Sequence, residues 1–270
     1  MALALIPPNP NGSYLIGNLL DYARDPLGFM TRCSRQYGDV VRLRFPGLSL
    51  YLLSHPDHAE HVLVKKNRQF VKSRYFRREL SFLGQGLLNS EGELWRRQRR
   101  LIQPAFHRQR INAYSEVMVL HAERMLAMWK DGEIRDIQQE MTNLTLGIVA
   151  KVLFGAKMNK AEEIGEMLRW LEKHTNRLEE QGSAMVMRFL LGNFPTPTNL
   201  RFRKGIGQLD EVVYGLINKR RTDGRDTGDL LSMLLRFRDE EGNSMSDKQL
   251  RDEVMTLLLA GHETTALALC

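Results

Sequence analysis

"LLLAGHETTALALC", residues 257–270, decides how this chain is read. Leu257, Leu258, Leu259 and Ala260 lead into a polar centre of His262, Glu263, Thr264 and Thr265, and Ala266 to Leu269 follow it. Upstream, Ser246-Asp247-Lys248-Gln249 has the spacing of a capping box, which starts a helix. No C′ glycine, proline or basic last turn closes it. The pattern predicts a helix from Asp247 to at least Cys270, apolar nearly all round. Such helices belong in the centre of a core. An acid and two hydroxyls at the middle of one therefore need a reason.

His262-Glu263 is also the start of H-E-x-x-H, but the second histidine would stand at 266, which is Ala266. Without the i+4 partner, that zinc site is excluded. The remaining chemistry is local. Gly261 removes a side chain where a flat ligand approaches the backbone. Thr264 shares a face with Ala260, and its hydroxyl can bond the Ala260 carbonyl. Glu263 places an ionisable group in poor solvent. Together these residues suit holding a small polar molecule and passing protons to it. A buried helix with back-bonded threonines accounts for the same residues without chemistry.

The bulk composition narrows the choices. The chain has 270 residues, 43% hydrophobic and 26% charged, an ordinary globular balance. Cys33 and Cys270 are its two cysteines, too few for a disulfide framework or a Cys-rich metal site. No run reaches the roughly 18 uncharged apolar residues of a spanning helix. The opening MALALIPP lacks the basic and apolar regions of a signal peptide. No membrane anchor and a cytoplasmic location are the expectation. The net charge of +7 is uneven: residues 65–110 hold thirteen Lys and Arg against three Glu. That points to a local anionic partner. Neither zinc-finger spacing nor an RNP-like aromatic motif accompanies it, so nucleic acid is not expected. His55, His58 and His61 are evenly spaced, but on a helix His61 is turned about 240° from His55, so no metal site is expected.

Working outward, Asp25-Pro26 starts a helix to about Tyr37. Two β-leaning runs flank Pro46-Gly47 within residues 40–54 and read as a hairpin. Pro56 starts a helix ending near Lys66. Ser90-Glu91-Gly92-Glu93 has capping-box spacing and starts a helix through Trp95 to Ile102. Residues 108–219 are helical in pattern, broken near Asp131-Gly132, Gly155 and residues 193–197. Thr227-Gly228-Asp229 opens a short helix. The fold class is mainly α with a small β element.

Ala260-Gly261-His262-Glu263-Thr264-Thr265 resembles the oxygen-binding helix motif, [AG]-G-x-[DE]-T-T, of the cytochrome P-450 monooxygenases. Trp95-Arg96-Arg97-Gln98-Arg99 resembles that family's W-x-x-x-R helix. The physics agrees, because a guanidinium fork and an indole N–H on one helix face can grip one carboxylate. The Pro-rich lead, the hairpin, "EHVLVKKNRQF" and "LIQPAFHRQRI" follow in the family's order.

The resemblance covers essentially all 270 residues, as the N-terminal portion of a single cytochrome P-450 domain. It implies haem as cofactor, with Trp95 and Arg99 on a propionate and Ala260 and Gly261 lining the haem face. Thr264 would act on iron-bound oxygen, and Glu263 would feed the proton relay. It further implies O2, a lipophilic small-molecule substrate, and electrons from a ferredoxin or reductase docking on part of the basic region. Residues around Tyr75, Phe76, Phe82, Leu83 and Leu87, with residues 188–202, would roof the substrate pocket. The family's E-x-x-R helix and its cysteine-containing haem loop have no match here, so the haem thiolate ligand is expected to be absent from this chain. Two alternatives remain open: an inactive truncated fragment, and a helical module that binds hydrophobic ligands.

Overall fold

The structure, a computed structural model, describes residues 6–155, 196–238 and 242–270. The expectations for residues 156–195, including the first part of the second roof segment, lie outside the described residues. The chain divides into two compact units, residues 1–71 with 172–202 and residues 72–171 with 203–270.

In the first unit, α1 (Leu19–Arg24) and α2 (Pro26–Tyr37) precede an antiparallel pair, β1 (Val40–Phe45) and β2 (Leu48–Leu53). Phe45 pairs with Leu48, so Pro46 and Gly47 form the two-residue turn. Proline presets the first turn position, and Gly47 takes a φ of 68° at the second. Asp25 caps α2 by accepting the Gly28 N–H at 2.9 Å. Phe29 and Cys33 from α2 close on Val41 and Leu43 from β1, with Tyr22 edge-on to Phe45 at 5.5 Å. The hairpin and the early helix thus stand where the sequence placed them.

Helix α3 (Pro56–Glu60) is shorter than the pattern predicts, because the chain widens into a π-turn over His61–Lys65. The His55 Nδ1 accepts the Asp57 N–H at 3.2 Å as the cap. Among the described residues no group of three His, Cys, Asp or Glu side chains could hold a metal ion.

The second unit holds α4 (Arg74–Glu79), α5 (Gly92–Ile102), α6 (Arg108–Ala127), α7 (Ile137–Phe154), α8 (Pro197–Asp223, residues 203–223 of it), α9 (Leu230–Arg236) and α10 (Asp247–Leu269). Gly155 ends α7 in the left-handed conformation, φ 59°, where glycine bears no Cβ penalty. Ser246 caps α10 by accepting the Gln249 N–H at 3.2 Å. The other capping box does not form: α5 starts at Gly92 with Glu91 as its N-cap and no side-chain cap bond. The core joins Leu146, Ala150 and Leu153 of α7 with Val213 and Ile217 of α8, Leu231 and Leu234 of α9, and Leu250, Val254 and Leu258 of α10. Each fully buried side chain of this kind stabilises by about 2 kcal/mol.

Helix α10 is covered along one stripe. Its first part is buried through Thr256, but only Leu258, His262 and Ala266 continue that burial, while Ala260, Thr264, Thr265, Leu267 and Leu269 are exposed. The reason is one-sided packing, because α7 covers one stripe of the helix and the opposite stripe faces outward.

A buried ion pair ties three helix ends together. The Arg220 guanidinium near the end of α8 reaches the Asp229 carboxylate at 2.6 Å and the Phe154 carbonyl at 2.8 Å, and it also bonds Thr227 and Ser232. Asp229 meanwhile caps α9 through the Ser232 N–H at 2.8 Å. Removing one partner of such a pair strands the other charge. Arg220→Ala should lower the unfolding free energy by about 3 kcal/mol. A lower urea midpoint at unchanged m-value is the measurement.

Candidate functional site

The candidate residues occupy two helices of the second unit. On α5, Trp95 is half-buried and Arg99 exposed, one turn apart. The Arg99 Cζ stands 5.4 Å from the Trp95 ring centroid, over its face, a cation–π geometry. The guanidinium has no carboxylate partner among the described residues. Its neighbour Arg96 is taken up by an ion pair with Glu93. The i, i+4 spacing therefore does bring the indole and the guanidinium together, leaving the fork's N–H donors available to an incoming anion.

On α10 the Thr264 hydroxyl donates to the Ala260 carbonyl at 2.8 Å, and Thr265 to Gly261 at 3.2 Å. Ala260 and Thr264 are exposed on one stripe, with Glu263 half-buried beside them. Gly261 stands apart from that stripe: a Cβ there would meet the Val149 Cγ2 of α7 at 3.0 Å. Its missing side chain is accounted for by close helix packing. His262 is fully buried, with Nδ1 2.8 Å from the Leu258 carbonyl.

The sequence reading missed a further polar group on α10. Arg251, Asp252 and Glu253 are consecutive and all buried. Arg251 bonds Asp210 of α8 at 2.6 Å, the Phe82 carbonyl at 2.7 Å and Asp252 at 3.0 Å. Asp252 accepts the Gln85 N–H at 2.8 Å and is reached by Lys248 at 3.2 Å. Glu253 accepts the Leu87 N–H at 3.0 Å. Burial pushes the Glu253 carboxyl up to about 7; the Leu87 N–H opposes that rise and the neighbouring Asp252 adds to it. Three consecutive ionisable residues inside an apolar helix pattern were the available signal, since buried charges require partners.

Those partners fix the segment before α5. Gly84 has a φ of 60°, and a Cβ on it would run into the Asp252 carboxylate. A Cβ on Gly86 would run into the Thr256 hydroxyl and the Asp252 carbonyl. From α5 the buried Gln98 donates to the Gln85 carbonyl at 2.7 Å. Lys72 donates to the Leu87 carbonyl at 3.2 Å and the Ser90 carbonyl at 2.8 Å. Burial lowers the Lys72 pKa. Residues 84–87 are thus held between the helix that carries Trp95 and Arg99 and the helix that carries Thr264.

Comparison with known proteins adds an independent line. The family model described as Cytochrome P450 matches residues 7–270. Cyclooctatin synthase of Streptomyces melanosporofaciens is 36% identical over 264 residues, covering 96% of this chain and 56% of that protein. Pentalenene oxygenase of Streptomyces avermitilis is 34% identical over 259 residues, covering 95% and 56%. The chain therefore spans little more than half the length of these relatives. Among solved structures, a cytochrome P450DA heme domain superposes with TM-score 0.79 at 24% identity, covering 96% of this chain and 57% of that one. A retinoic acid-bound cyanobacterial CYP120A1 gives 0.79 at 22%, covering 98% and 58%. At these identities the structures show a shared fold.

Gly86→Ala tests the close approach. The new methyl meets backbone on one side, so α10 or the segment must shift, at about 2 kcal/mol. Chemical denaturation should show that loss, and a midpoint equal to the parent's would mean residues 84–87 stand further from α10.

Proposed function

Because this chain belongs to the cytochrome P450 family, we propose that it forms the oxygen-helix portion of a haem-dependent monooxygenase that inserts one oxygen atom from O2 into a lipophilic substrate. One observation carries the reading: the A-G-H-E-T-T motif lies on a helix with Ala260 and Thr264 exposed on one stripe, and the Thr264 hydroxyl is bonded back to Ala260.

Bound haem would supply the iron chemistry that activates O2. The residues present suit it: Trp95 and Arg99 offer an N–H and an uncommitted guanidinium on one face, matched to a propionate. Ala260 leaves only a methyl on the exposed stripe of α10, where a flat macrocycle can approach. Thr264 commits its proton to the Ala260 carbonyl at rest, which leaves its oxygen lone pairs open to an incoming donor. Rotation of the same hydroxyl away from Ala260 would free its proton for a hydrogen bond across the open face. Glu263, one residue before it, would take up and return protons.

Neither cysteine is the proposed iron ligand. Cys33 is buried in α2. Cys270 lies on the same helix as Thr264, its thiol 3.2 Å from the Ala266 carbonyl. Bound haem would need a thiolate besides the groups on α10, and Cys270, on the helix that offers Thr264, is not proposed to supply it. The proposed substrate is lipophilic: of the expected roof residues Phe76 is exposed, whereas Leu83 is buried in the core with Phe82 and Leu87 packed against it, and the relative named pentalenene oxygenase supports an oxygenation reaction. The proposed electron donor is a ferredoxin or reductase with an acidic face, matched to the excess of thirteen Lys and Arg over three Glu in residues 65–110. We propose a cytoplasmic setting; among the described residues no helix is long and apolar enough to cross a membrane.

Thr264→Ala in the full-length, haem-loaded protein should cut product formed per electron consumed by roughly tenfold or more, with haem content unchanged. Product yield equal to the parent's would remove Thr264 from the reaction. The rate of reduction by a ferredoxin should fall as ionic strength rises from about 0.01 M to 0.5 M, as screened charge pairs require. A rate indifferent to salt would place donor docking elsewhere.

A further inference from the structure

We propose that Glu253 is a positioning residue that acts through residues 84–87: with Asp252 and Gln98 it brackets this segment between α10 and α5, and it releases the segment as its carboxyl becomes charged. The geometry comes first. The segment is held by N–H bonds from Gln85 to Asp252 and from Leu87 to Glu253, and by the Gln98 amide on the Gln85 carbonyl. Glu253 is fully buried, and its Oε1 has no hydrogen-bond partner among the described residues. The Gln98 Oε1 is likewise buried without one. A carboxylate in that setting has one N–H for its charge, which is poor compensation for lost water. Asp252 differs, because Arg251, Lys248 and the Gln85 N–H all serve it.

The charged groups around Glu253 are few. Asp252 is adjacent on its own helix, and Arg251 and Lys248 are engaged with Asp252. Arg251 is shared with Asp210 of α8. Lys72 reaches the far side of the segment, at the Leu87 and Ser90 carbonyls. Gly84, Gln85, Gly86 and Leu87 bring no ionisable side chain. Among the described residues no cation is bonded to Glu253, so its charged form gains little from pairing.

The direction follows from proton linkage. With the segment closed, the Glu253 pKa stands near 7, against an ordinary value of 4.5. If lifting residues 84–87 admits water, the open state has the ordinary value. The closed state then holds the proton more tightly, so closure is favoured at low pH. It weakens as pH rises from about 4.5 toward 7, by up to about tenfold in the opening constant per pH unit, and levels off above 7. The loss of the Leu87 hydrogen bond on opening works against this trend without reversing it, because it is already included in the raised value.

None of this depends on haem chemistry, and its test reads no turnover. Amide hydrogen exchange by mass spectrometry is followed from pH 5.5 to 8 in the full-length protein containing this chain, each rate divided by its intrinsic rate. Residues 230–236 of α9 serve as the internal control. For residues 84–88 the corrected exchange should rise about tenfold between pH 5.5 and 6.5 and flatten above 7, with the control flat. Glu253→Gln keeps an acceptor for the Leu87 N–H but cannot ionise, so its profile should be flat and protected throughout. Gln98→Leu should raise exchange at every pH while keeping the slope. A flat parent profile, or a slope that survives in Glu253→Gln, overturns the proposal. If Glu253→Gln loses control protection because it folds poorly, the parent profile against its control decides alone.

Discussion

Helix α10 buries three ionisable side chains in succession, and much of the second unit is arranged around their needs. Arg251, Asp252 and Glu253 lie at 7%, 2% and 0% exposure, in a helix whose other inward residues are Leu250, Val254 and Leu258. An unpaired charge there is far more expensive than any one of those leucines is stabilising. The chain therefore supplies backbone: the Phe82 carbonyl for Arg251, the Gln85 N–H for Asp252 and the Leu87 N–H for Glu253. Backbone can serve side chains this deep only if it lies against the helix, and Gly84 and Gly86 permit that approach. The position of the segment before α5 is a consequence of charge burial.

That consequence bears on the candidate site. Trp95 and Arg99 are on a helix that begins five residues after Leu87, and Gln98 between them holds the Gln85 carbonyl. The same residue is held from α10 through its N–H. Two helices that would contact haem at different points are therefore connected through one short stretch of backbone. Motion of residues 84–87 has a direct route to both.

Local signals were legible where a short stretch of chain decides the outcome. Asp25-Pro26, Pro46-Gly47, Asp229 and Ser246 each fix their element through bonds or dihedrals within a few residues, and each acts as its spacing predicts. The box at Ser90 fails for a nonlocal reason. The Glu91 side chain accepts the Lys72 N–H at 2.6 Å, and Gly92 takes a φ of 58°, which no interior helix position tolerates. The helix consequently begins later, and Ser90 is buried, its N–H donating to the Gly86 carbonyl at 2.9 Å. In the site, the pairing of Trp95 with Arg99 and of Thr264 with Ala260 was legible because both are i, i+4 relations on one helix. The roles of Arg251, Asp252 and Glu253 were not, since Asp210, Phe82, Gln85 and Leu87, which they hold, lie 41 to 169 residues away in sequence.

Gly261 shows how a motif residue can answer to packing as well as chemistry. Helix α10 packs on α7, its Val254 and Leu258 lie in the shared core, and Val149 of α7 faces Gly261. A Cβ there would press on the Val149 methyl, which would have to give by a few tenths of an ångström. Ala260 and Thr264, one residue before and three after, fall on the uncovered stripe. Since 3.6 residues complete a turn, a helix that presents 260 and 264 to one side must turn 261 toward another. If that side is a packed helix, the residue there must be small. The glycine and the exposed threonine of the motif are thus two requirements of one geometry, the first set by the neighbour α7 and the second by whatever approaches the open face.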